Sequence, residues 1–263
     1  MGYLRKGISY AYGRRYKLVK WFVLGILGIF LTSVVWVISL RFVPVYFTPL
    51  MFIRSIEQVF NDQEVRMKKT WVPIEDISFN LQKSVISSED PKFLEHDGFD
   101  FEAIMKAYEA NKHRKVKMGA STISQQTAKN VFLYPTRSYV RKAFEAYFTV
   151  MIEFFWDKNR ILEVYLNVIE LGPGIYGAEA ASVHYFKTNA KNLSMSQSQI
   201  LAAILPNPRK WSPVHPSHYV IKRKNFVSRN LRNIGPQYFE PLKEAQSLPP
   251  PKKEEKKKKR KKR

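Results

Sequence analysis

Two glutamates and the polar residues around them are the side chains best suited to chemistry. Glu89 follows two serines and precedes Asp90-Pro91. Because Pro91 fits a bend or the first turn of a helix, Glu89 is predicted to lie at an element boundary. A carboxylate at such a boundary, on the edge of a cleft, can act as a general base. The alternative interpretation is a serine-capped helix whose dipole Glu89 complements.

The second glutamate, Glu145, ends a repeat of charged residues. Arg137, Arg141 and Glu145 recur every four residues, so they share one face of a helix. They could form a structural ion pair. They could equally line a pocket in which the guanidinium groups bind phosphate and the carboxylate holds a metal ion or orients the site.

A third polar stretch, residues 119–129, reads Gly-Ala-Ser-Thr-Ile-Ser-Gln-Gln-Thr-Ala-Lys. It places hydroxyl, amide and backbone N–H groups at a helix start, which is an anion-binding arrangement, and Lys129 adds a cation. No Gly-Lys-Ser/Thr follows Gly119, so the stretch is not a nucleotide-binding P-loop. His96 lacks the spacing of a metal ligand and is predicted to be a hydrogen-bonded structural residue.

Helical signals dominate the segments that must position these groups. Asp100 is predicted to cap a helix over residues 101–110, and Thr122 with Gln125 has the spacing of a capping box for a helix that runs to about Phe132. Further helices are predicted over Tyr139–Trp156, Asn159–Leu166 (capped by Asn159), Ser196–Leu205 and Tyr219–Asn233. Val72–Ile77 and Ser78–Val85 fit either a short extended piece or a turn of helix. The fold is therefore predicted to be mainly α.

A hydrophobic segment precedes all of these groups. Trp21–Leu40 is twenty residues without a charge, long enough to span a hydrocarbon core of about 30 Å. The bulky Arg41-Phe-Val-Pro-Val-Tyr-Phe that follows is unlike a signal-peptide cleavage site, and a buried core helix is usually shorter or amphipathic. A permanent signal anchor is predicted. Six basic and no acidic residues in 1–20 place the N-terminus in the cytoplasm and the rest of the chain outside.

The net charge of +22 is concentrated at the two ends of the chain. Residues 1–20 carry +6 and residues 252–263 carry +8, so the middle is only moderately basic. The tail is interpreted either as solvated, disordered charge or as a weak ligand for anionic lipid or another polyanion. With no cysteine, the chain has no disulfide, zinc finger or thiol nucleophile.

The predicted organisation has five parts: a basic cytoplasmic segment (1–20), a transmembrane helix (21–40), a membrane-proximal neck (41–67), a helical catalytic domain (68–236) and a disordered Pro/Lys-rich tail (237–263). The neck is apolar and interrupted by prolines, which fits either an interfacial segment or ordinary core packing.

Four ordered motifs carry a resemblance to a known family. They are Glu89-Asp90-x-x-Phe93-x-x-His96-x-Gly98-Phe99-Asp100, Gly119-Ala-Ser-Thr-Ile-x-Gln125-Gln126-x-x-Lys129-Asn130, Arg141-Lys142-x-x-Glu145 and Lys158-x-x-Ile161-Leu162-Glu163-x-Tyr165-Leu166-Asn167. Over about residues 70–215 the chain resembles the peptidoglycan glycosyltransferases of glycosyltransferase family 51. The resemblance implies a helical, lysozyme-like fold and the joining of lipid II units into glycan strands, with inversion and release of polyprenyl pyrophosphate.

The resemblance also implies roles for individual residues. Glu89 corresponds to the general base, and Glu145 to a second carboxylate that works with a divalent cation, Mg²⁺ or Mn²⁺, or positions the cationic side chains. Glu163 is expected to be structural. The positions implied to bind the donor's phosphates are Lys129, Arg137 and Arg141, and those implied to line the donor site are Ser121, Gln125 and Gln126.

The implied partners are lipid II, the growing glycan chain, the cytoplasmic membrane and other cell-wall synthases, with no nucleic acid. Ser124 stands where the family usually has threonine, and the glycine common after Phe186 is lacking. No S-x-x-K or K-T-G motif of a transpeptidase is present, which predicts the monofunctional form. Two alternatives remain: a lysozyme-like lytic enzyme, and a membrane-anchored protein that binds a polyanion.

Overall fold

The structure, a computed structural model, describes residues 2–114, 118–136 and 138–247, with side chains from residue 16 onward. Arg137 and the Lys-rich end of the tail, residues 248–263, lie outside the described residues.

The described part of the chain is built mainly from helices, as predicted. Eleven α-helices are joined by short connections, some containing single turns of 3₁₀ helix. The helices are α1 Gly2–Phe42, α2 Pro49–Phe60, α3 Phe79–Glu89, α4 Phe101–Lys112, α5 Ile123–Phe132, α6 Tyr139–Phe155, α7 Lys158–Val168, α8 Ala178–Phe186, α9 Met195–Ile204, α10 His218–Ile234 and α11 Glu240–Ser247.

Short polar side chains set the starts of the helices around the site. Asp100 caps α4 by accepting from Ala103 N, and Thr122 and Gln125 form the predicted capping box of α5. The predicted cap of α7 was wrong: Asp157, not Asn159, is the cap, and its side chain accepts from the backbone N–H of Arg160. Asp and Asn are nearly equal as caps, so local preference alone did not separate the two positions.

Three very short strands form a small sheet beside the helices. They are β1 Lys68–Lys69, β2 Glu170–Gly172 and β3 Ile175–Tyr176, in the order β1-β3-β2. Lys68 pairs with Ile175 in a parallel register, and β2 and β3 form an antiparallel hairpin. The sheet holds the chain between α7 and α8 against the start of the catalytic domain.

Two groups of helices build the core. In one group α3 packs against α9 and α10, and in the other α5 packs against α6 and α7. Helix α7 is largely enclosed, with Ile161, Leu162 and Leu166 fully buried. The end of α3 and the start of α5 meet between the two groups, so this junction is where a cleft can form.

Helix α1 does not leave the domain as a free stalk. Its last turns pack on α6, where Trp36 contacts the rings of Phe132 and Phe148. Trp156 Nε1 donates to the carbonyl of Val37 at 2.8 Å, a hydrogen bond that is buried. The stretch Tyr16–Phe42 is long and apolar enough to cross a membrane by length and composition.

The neck is a helix with two different faces. Thr48 caps α2, Pro49 occupies its first turn, and Met51 is fully buried. Phe52 and Phe60 are exposed on the same helix. One face of α2 thus belongs to the core, as one interpretation predicted, and the other is apolar and uncovered, so the interfacial interpretation stays a prediction for that face.

Of the two interpretations of residues 72–85, the helical one is confirmed: Ile74–Asp76 form a 3₁₀ turn, and Phe79–Glu89 form three turns of helix, which is longer than predicted. One prediction about the ordered region was wrong: residues 237–247, assigned to the disordered tail, form a 3₁₀ turn followed by α11. Phe239 and Leu242 are buried there. The Pro- and Lys-rich run that suggested disorder begins only at Pro249, and burial of these two side chains against the core stabilises the stretch before it.

Candidate active site

Glu89 is the last residue of α3, so the prediction of an element boundary is confirmed. Its side chain is only partly exposed and accepts two hydrogen bonds: Oε2 from Gln126 Nε2 at 3.1 Å, and Oε1 from Ser88 Oγ at 3.2 Å. Burial raises the pKa of Glu89, and the two hydrogen bonds oppose that rise. A carboxylate with a raised pKa can retain a proton once it has taken one, as a general base must.

Gln126 is itself held by a buried tyrosine. The hydroxyl of Tyr165, on α7, donates to Gln126 Oε1 at 3.1 Å. Burial raises the pKa of Tyr165 well above its usual value, so the phenol remains a donor. Because the amide oxygen faces Tyr165, the amide nitrogen must face Glu89.

A buried aspartate joins α3 to α5. Asp90 Oδ2 accepts from the backbone N–H of Ile123, and its Oδ1 lies 2.9 Å from Nε2 of His96. The other ring nitrogen of His96 accepts from Gly98 N. His96 therefore has the hydrogen-bonded structural position expected of it, and this clamp holds Gln126 opposite Glu89.

A cavity of about 760 Å³ opens in front of Glu89. The predicted donor-site residues Ser121 and Gln126 line it, together with Asp100 and, from α10, Tyr219 and Arg223. Arg223 and Arg114 both line the cavity, and the charge of Arg223 lowers the pKa of Glu89. Its Nε donates to the carbonyl of Ala203 at 3.0 Å, which fixes the guanidinium.

Gln125 is not brought to this cavity. It is buried, and its Oε1 accepts from Thr122 N at 3.1 Å to complete the capping box. The structure therefore gives Gln125 a role in shaping the start of α5, and the expectation that it lines the donor site is not supported.

Glu145 is buried in a cluster of cations. Its Oε2 lies 2.8 Å from Arg141 Nη1, and its Oε1 pairs with Lys142 Nζ. Lys129 is close by: burial lowers the pKa of Lys129, and the charge of Glu145 opposes this. Of the roles predicted for Glu145, the geometry favours the positioning of cationic side chains.

Lys129 and Arg141 line a second cavity, of about 300 Å³. It is bounded by α2, the end of α5, the loop to α6 and β2. The structure thus separates the predicted residues into a carboxylate cavity and a cation cavity, with α5 between them carrying Gln126 toward one and Lys129 toward the other. Glu163 lies apart and pairs with Arg160 at 3.1 Å, in keeping with its expected structural role.

The side chains around Glu145 do not make a metal site of their own. The described residues contain no group of three or more His, Cys, Asp or Glu side chains able to hold a metal ion. Both oxygens of Glu145 are occupied by cations. A divalent ion needs several oxygen ligands, so one paired carboxylate does not fit it unless substrate phosphates supply the others.

Sequence reasoning missed three arginines that the fold brings to these cavities. Arg114 and Arg223 line the first cavity, and Arg223 is separated from Glu89 by more than a hundred residues. Arg54 lies in the neck, which was not considered part of the site. None of the three belongs to the motifs from which the site was predicted, so only tertiary packing reveals them.

Comparison with known proteins decides the family. The transglycosylase family model matches residues 56–232. The chain belongs to the transglycosylase family. The match begins inside α2, earlier than the predicted domain boundary at 68, so the transglycosylase unit includes part of the neck.

Several curated transglycosylases are similar over most of their length. A biosynthetic peptidoglycan transglycosylase of Bdellovibrio bacteriovorus is 54% identical over 217 residues, which cover 82% of this chain and 86% of the relative. A protein of the same name from Bacteroides thetaiotaomicron is 52% identical over 209 residues, 80% of this chain and 84% of the relative. One from Pseudomonas fluorescens is 46% identical over 243 residues, 92% of this chain and 98% of the relative.

Proposed function

We infer that this chain is a peptidoglycan glycosyltransferase that polymerises lipid II into glycan strands in bacterial cell wall biosynthesis. The observation that carries the inference is the position of Glu89. This partly buried carboxylate faces a cavity of about 760 Å³, and α5 links it to the cluster of cations around the buried Glu145. The family and the names of the relatives support the same activity.

Glu89 is proposed as the general base. It takes the proton from the 4-hydroxyl of the acceptor sugar while that oxygen forms a bond to the anomeric carbon of the donor. The bond from the anomeric carbon to the pyrophosphate breaks, and polyprenyl pyrophosphate leaves with the bonding electrons. Attack opposite the leaving group inverts the anomeric centre. The raised pKa of Glu89 favours the proton transfer.

Lys129 and Arg141 are proposed to bind the leaving pyrophosphate, whose negative charge grows as the bond breaks. Both are held before the substrate arrives, Arg141 by its ion pair with Glu145 and Lys129 by burial beside it. Cations fixed in a site with little water stabilise developing charge more than mobile ones do. Arg137 is proposed for the same role on the basis of the resemblance alone.

A divalent cation, Mg²⁺ or Mn²⁺, is proposed to act only together with the donor's phosphates, since the protein offers it a single, already paired carboxylate. When bound there it would neutralise phosphate charge. The cation cluster by itself supplies part of the same neutralisation.

We place the chain in the cytoplasmic membrane, with its N-terminus in the cytoplasm and the catalytic domain on the outer face. One helix able to span a membrane, six basic residues before the apolar stretch, and large exposed apolar side chains on the adjoining helices support this. Phe154 on α6 and Phe60 on α2 are each at least 80% exposed. Other cell-wall synthases are proposed as further partners.

The lytic alternative is not favoured, because a hydrolase that cuts finished glycan has no pyrophosphate to bind and gives no reason for the Lys129–Arg141–Glu145 cluster. A polyanion-binding protein would explain the charge of the chain but not a partly buried glutamate held by Gln126 at a cavity.

The test is polymerisation of labelled lipid II by the full chain in detergent, compared with Glu89→Gln. Loss of a general base should lower the rate by about 10²–10⁴-fold. A folded Glu89→Gln protein that polymerises as fast as wild type would remove Glu89 from the role of base. A wild type inactive on lipid II but active on finished glycan would overturn the transferase assignment.

A further inference from the structure

The cavity lined by Lys129 and Arg141 contains a third cation, Arg54, which has no role in the mechanism proposed above. Arg54 projects from α2 and lines the cavity together with Lys129 and Arg141. Leu50, from the same face of α2, and Leu133 supply apolar wall. The cavity therefore combines three cations with apolar side chains in about 300 Å³.

Two of these cations have unused donors. The Nε atoms of Arg54 and Arg141 are buried, and neither has a hydrogen-bond partner among the described residues. Buried N–H groups are normally paired, because leaving one unpaired costs free energy. Two unpaired guanidinium N–H groups in one cavity point to an anionic ligand with several acceptor oxygens.

The ion pairs of Arg54 hold its side chain without consuming this donor. Its Nη1 lies 2.5 Å from Glu57 Oε2, whereas its Nε is 3.7 Å from Glu170 Oε2, beyond hydrogen-bonding distance. Glu170 is only 9% exposed, and its Oε1 is also without a hydrogen-bond partner among the described residues. Glu170 thus positions the guanidinium electrostatically while its Nε–H remains available.

The placement of Arg54 on α2 narrows the chemistry of the ligand. Leu50, one turn before Arg54 on the same face of α2, and Leu133, just after α5, form apolar wall beside the guanidinium. A ligand that has a phosphate head and an apolar tail can place the head against Arg54 and the start of the tail against this wall. Inorganic phosphate would leave the apolar side of the arrangement unexplained.

We propose that Arg54 is a further binding residue for the pyrophosphate of the polyprenyl leaving group, and that Glu170 is its positioning residue. The proposal rests on the proposed function and adds the neck helix to the donor site. Lys129 and Arg141 contact the pyrophosphate from the catalytic side, and Arg54 contacts it from the membrane side.

The test uses the full chain in detergent and measures binding of farnesyl pyrophosphate and the KM for lipid II. Arg54→Gln should weaken farnesyl pyrophosphate binding about tenfold or more and raise the KM, since a charged hydrogen bond is lost. Arg54→Lys keeps the charge but loses the planar set of guanidinium donors, so it should restore only part of the binding affinity for farnesyl pyrophosphate. Arg66→Gln, at an exposed arginine paired with Glu64 outside the cavity, is the matched control and should change neither.

The outcomes separate the proposal from the function it rests on. A wild type that binds farnesyl pyrophosphate through Arg54 yet does not polymerise lipid II would retain the binding residue and overturn the function. Unchanged binding in both Arg54 variants would overturn the proposal. If the Arg54 variants bind phosphatidylglycerol vesicles more weakly than wild type but bind farnesyl pyrophosphate equally well, the proposal is also overturned. Arg54 would then be a phospholipid-binding residue. If Arg54→Gln lowers the Tm, the test rests on Arg54→Lys, provided that its Tm is unchanged. Weaker binding of farnesyl pyrophosphate by that variant supports the proposal, and equal binding overturns it.

Discussion

Gln126 Nε2 donates a hydrogen bond to Glu89 Oε2 over 3.1 Å, from one helix to the end of another. The bond favours the charged carboxylate and so lowers the pKa of Glu89, against the burial that raises it. Two opposing effects therefore determine the pH at which the proposed base is ready to accept a proton.

Replacing Gln126 should shift the pH profile of the reaction. In Gln126→Leu the pKa of Glu89 rises further, so a higher pH is needed to ionise the base, and the acidic limb of kcat/KM should move upward in pH. Tyr165→Phe, which frees the amide to turn, should move it less. The measurement is kcat/KM for lipid II against pH; a limb in the same place for all three proteins would contradict this relay.

The charge of Arg223, on α10, should act on the pKa of Glu89 in the same direction. Arg223→Gln removes a cation that lowers the pKa of Glu89, so the acidic limb should again rise. Arg229→Gln, at an exposed position of the same helix, is the matched control and should leave the limb in place. Equal shifts in both variants would indicate a general effect of net charge instead.

Glu89 should lower the free energy of unfolding at neutral pH. Its pKa in the folded state is raised above the usual 4.5, so the folded state holds this proton more tightly than the unfolded state. Stability from this group is full below the unfolded pKa and is lost as pH rises through the folded value. Glu89→Gln should therefore have a higher Tm than wild type at pH 7.5, with the difference vanishing near pH 4. An equal Tm at both pH values would disprove the burial effect.

Glu145 should matter more than any metal for holding the cation cluster. Glu145→Gln leaves Arg141 and Lys142 without their buried partner, and kcat/KM should fall by about 10²–10³-fold, as for loss of one electrostatic group in a preorganised site. Added Mg²⁺ or Mn²⁺ should not restore it. In wild type, EDTA should lower polymerisation without changing the Tm, because the proposed ion depends on substrate phosphates. A Tm that falls with EDTA would reveal a protein-built metal site.

Gly98 should tolerate no side chain. Its φ is +92°, and a Cβ there would lie 2.7 Å from Thr149 Cγ2. Gly98→Ala combines backbone strain with a clash against α6 and should destabilise the fold by about 1–3 kcal/mol. Thermal unfolding measures this, with Gly119→Ala as the control, since a Cβ at Gly119 meets nothing within 4 Å. A similar Tm for both variants would contradict the clash and the strain at Gly98.

Patterns that depend on nearby residues were predictable from the sequence. The capping box at Thr122, the cap at Asp100 and the shared face of Arg141 and Glu145 each need only three or four residues of spacing. The helical fold followed from the same signals.

Features created by tertiary packing were not predictable in this way. Helix α3 was underestimated because its apolar positions are interrupted by polar residues, Gln82, Ser84 and Ser87, that are nonetheless buried by α9 and α10. The meeting of Arg223 with Glu89, and of Arg54 with Lys129, depends on how distant helices dock. The spacing of residues along the chain predicts neither pair.

The docking of α1 on α6 has a mechanical consequence. Since Trp36, Val37 and Leu40 are bound to side chains of the domain, the anchor and the domain should turn as one piece. A helix that is too long for a thin bilayer tilts, and here the tilt would carry the domain with it and change the angle at which the cleft meets the lipid surface. The rate of the reaction would then depend on the thickness of the bilayer.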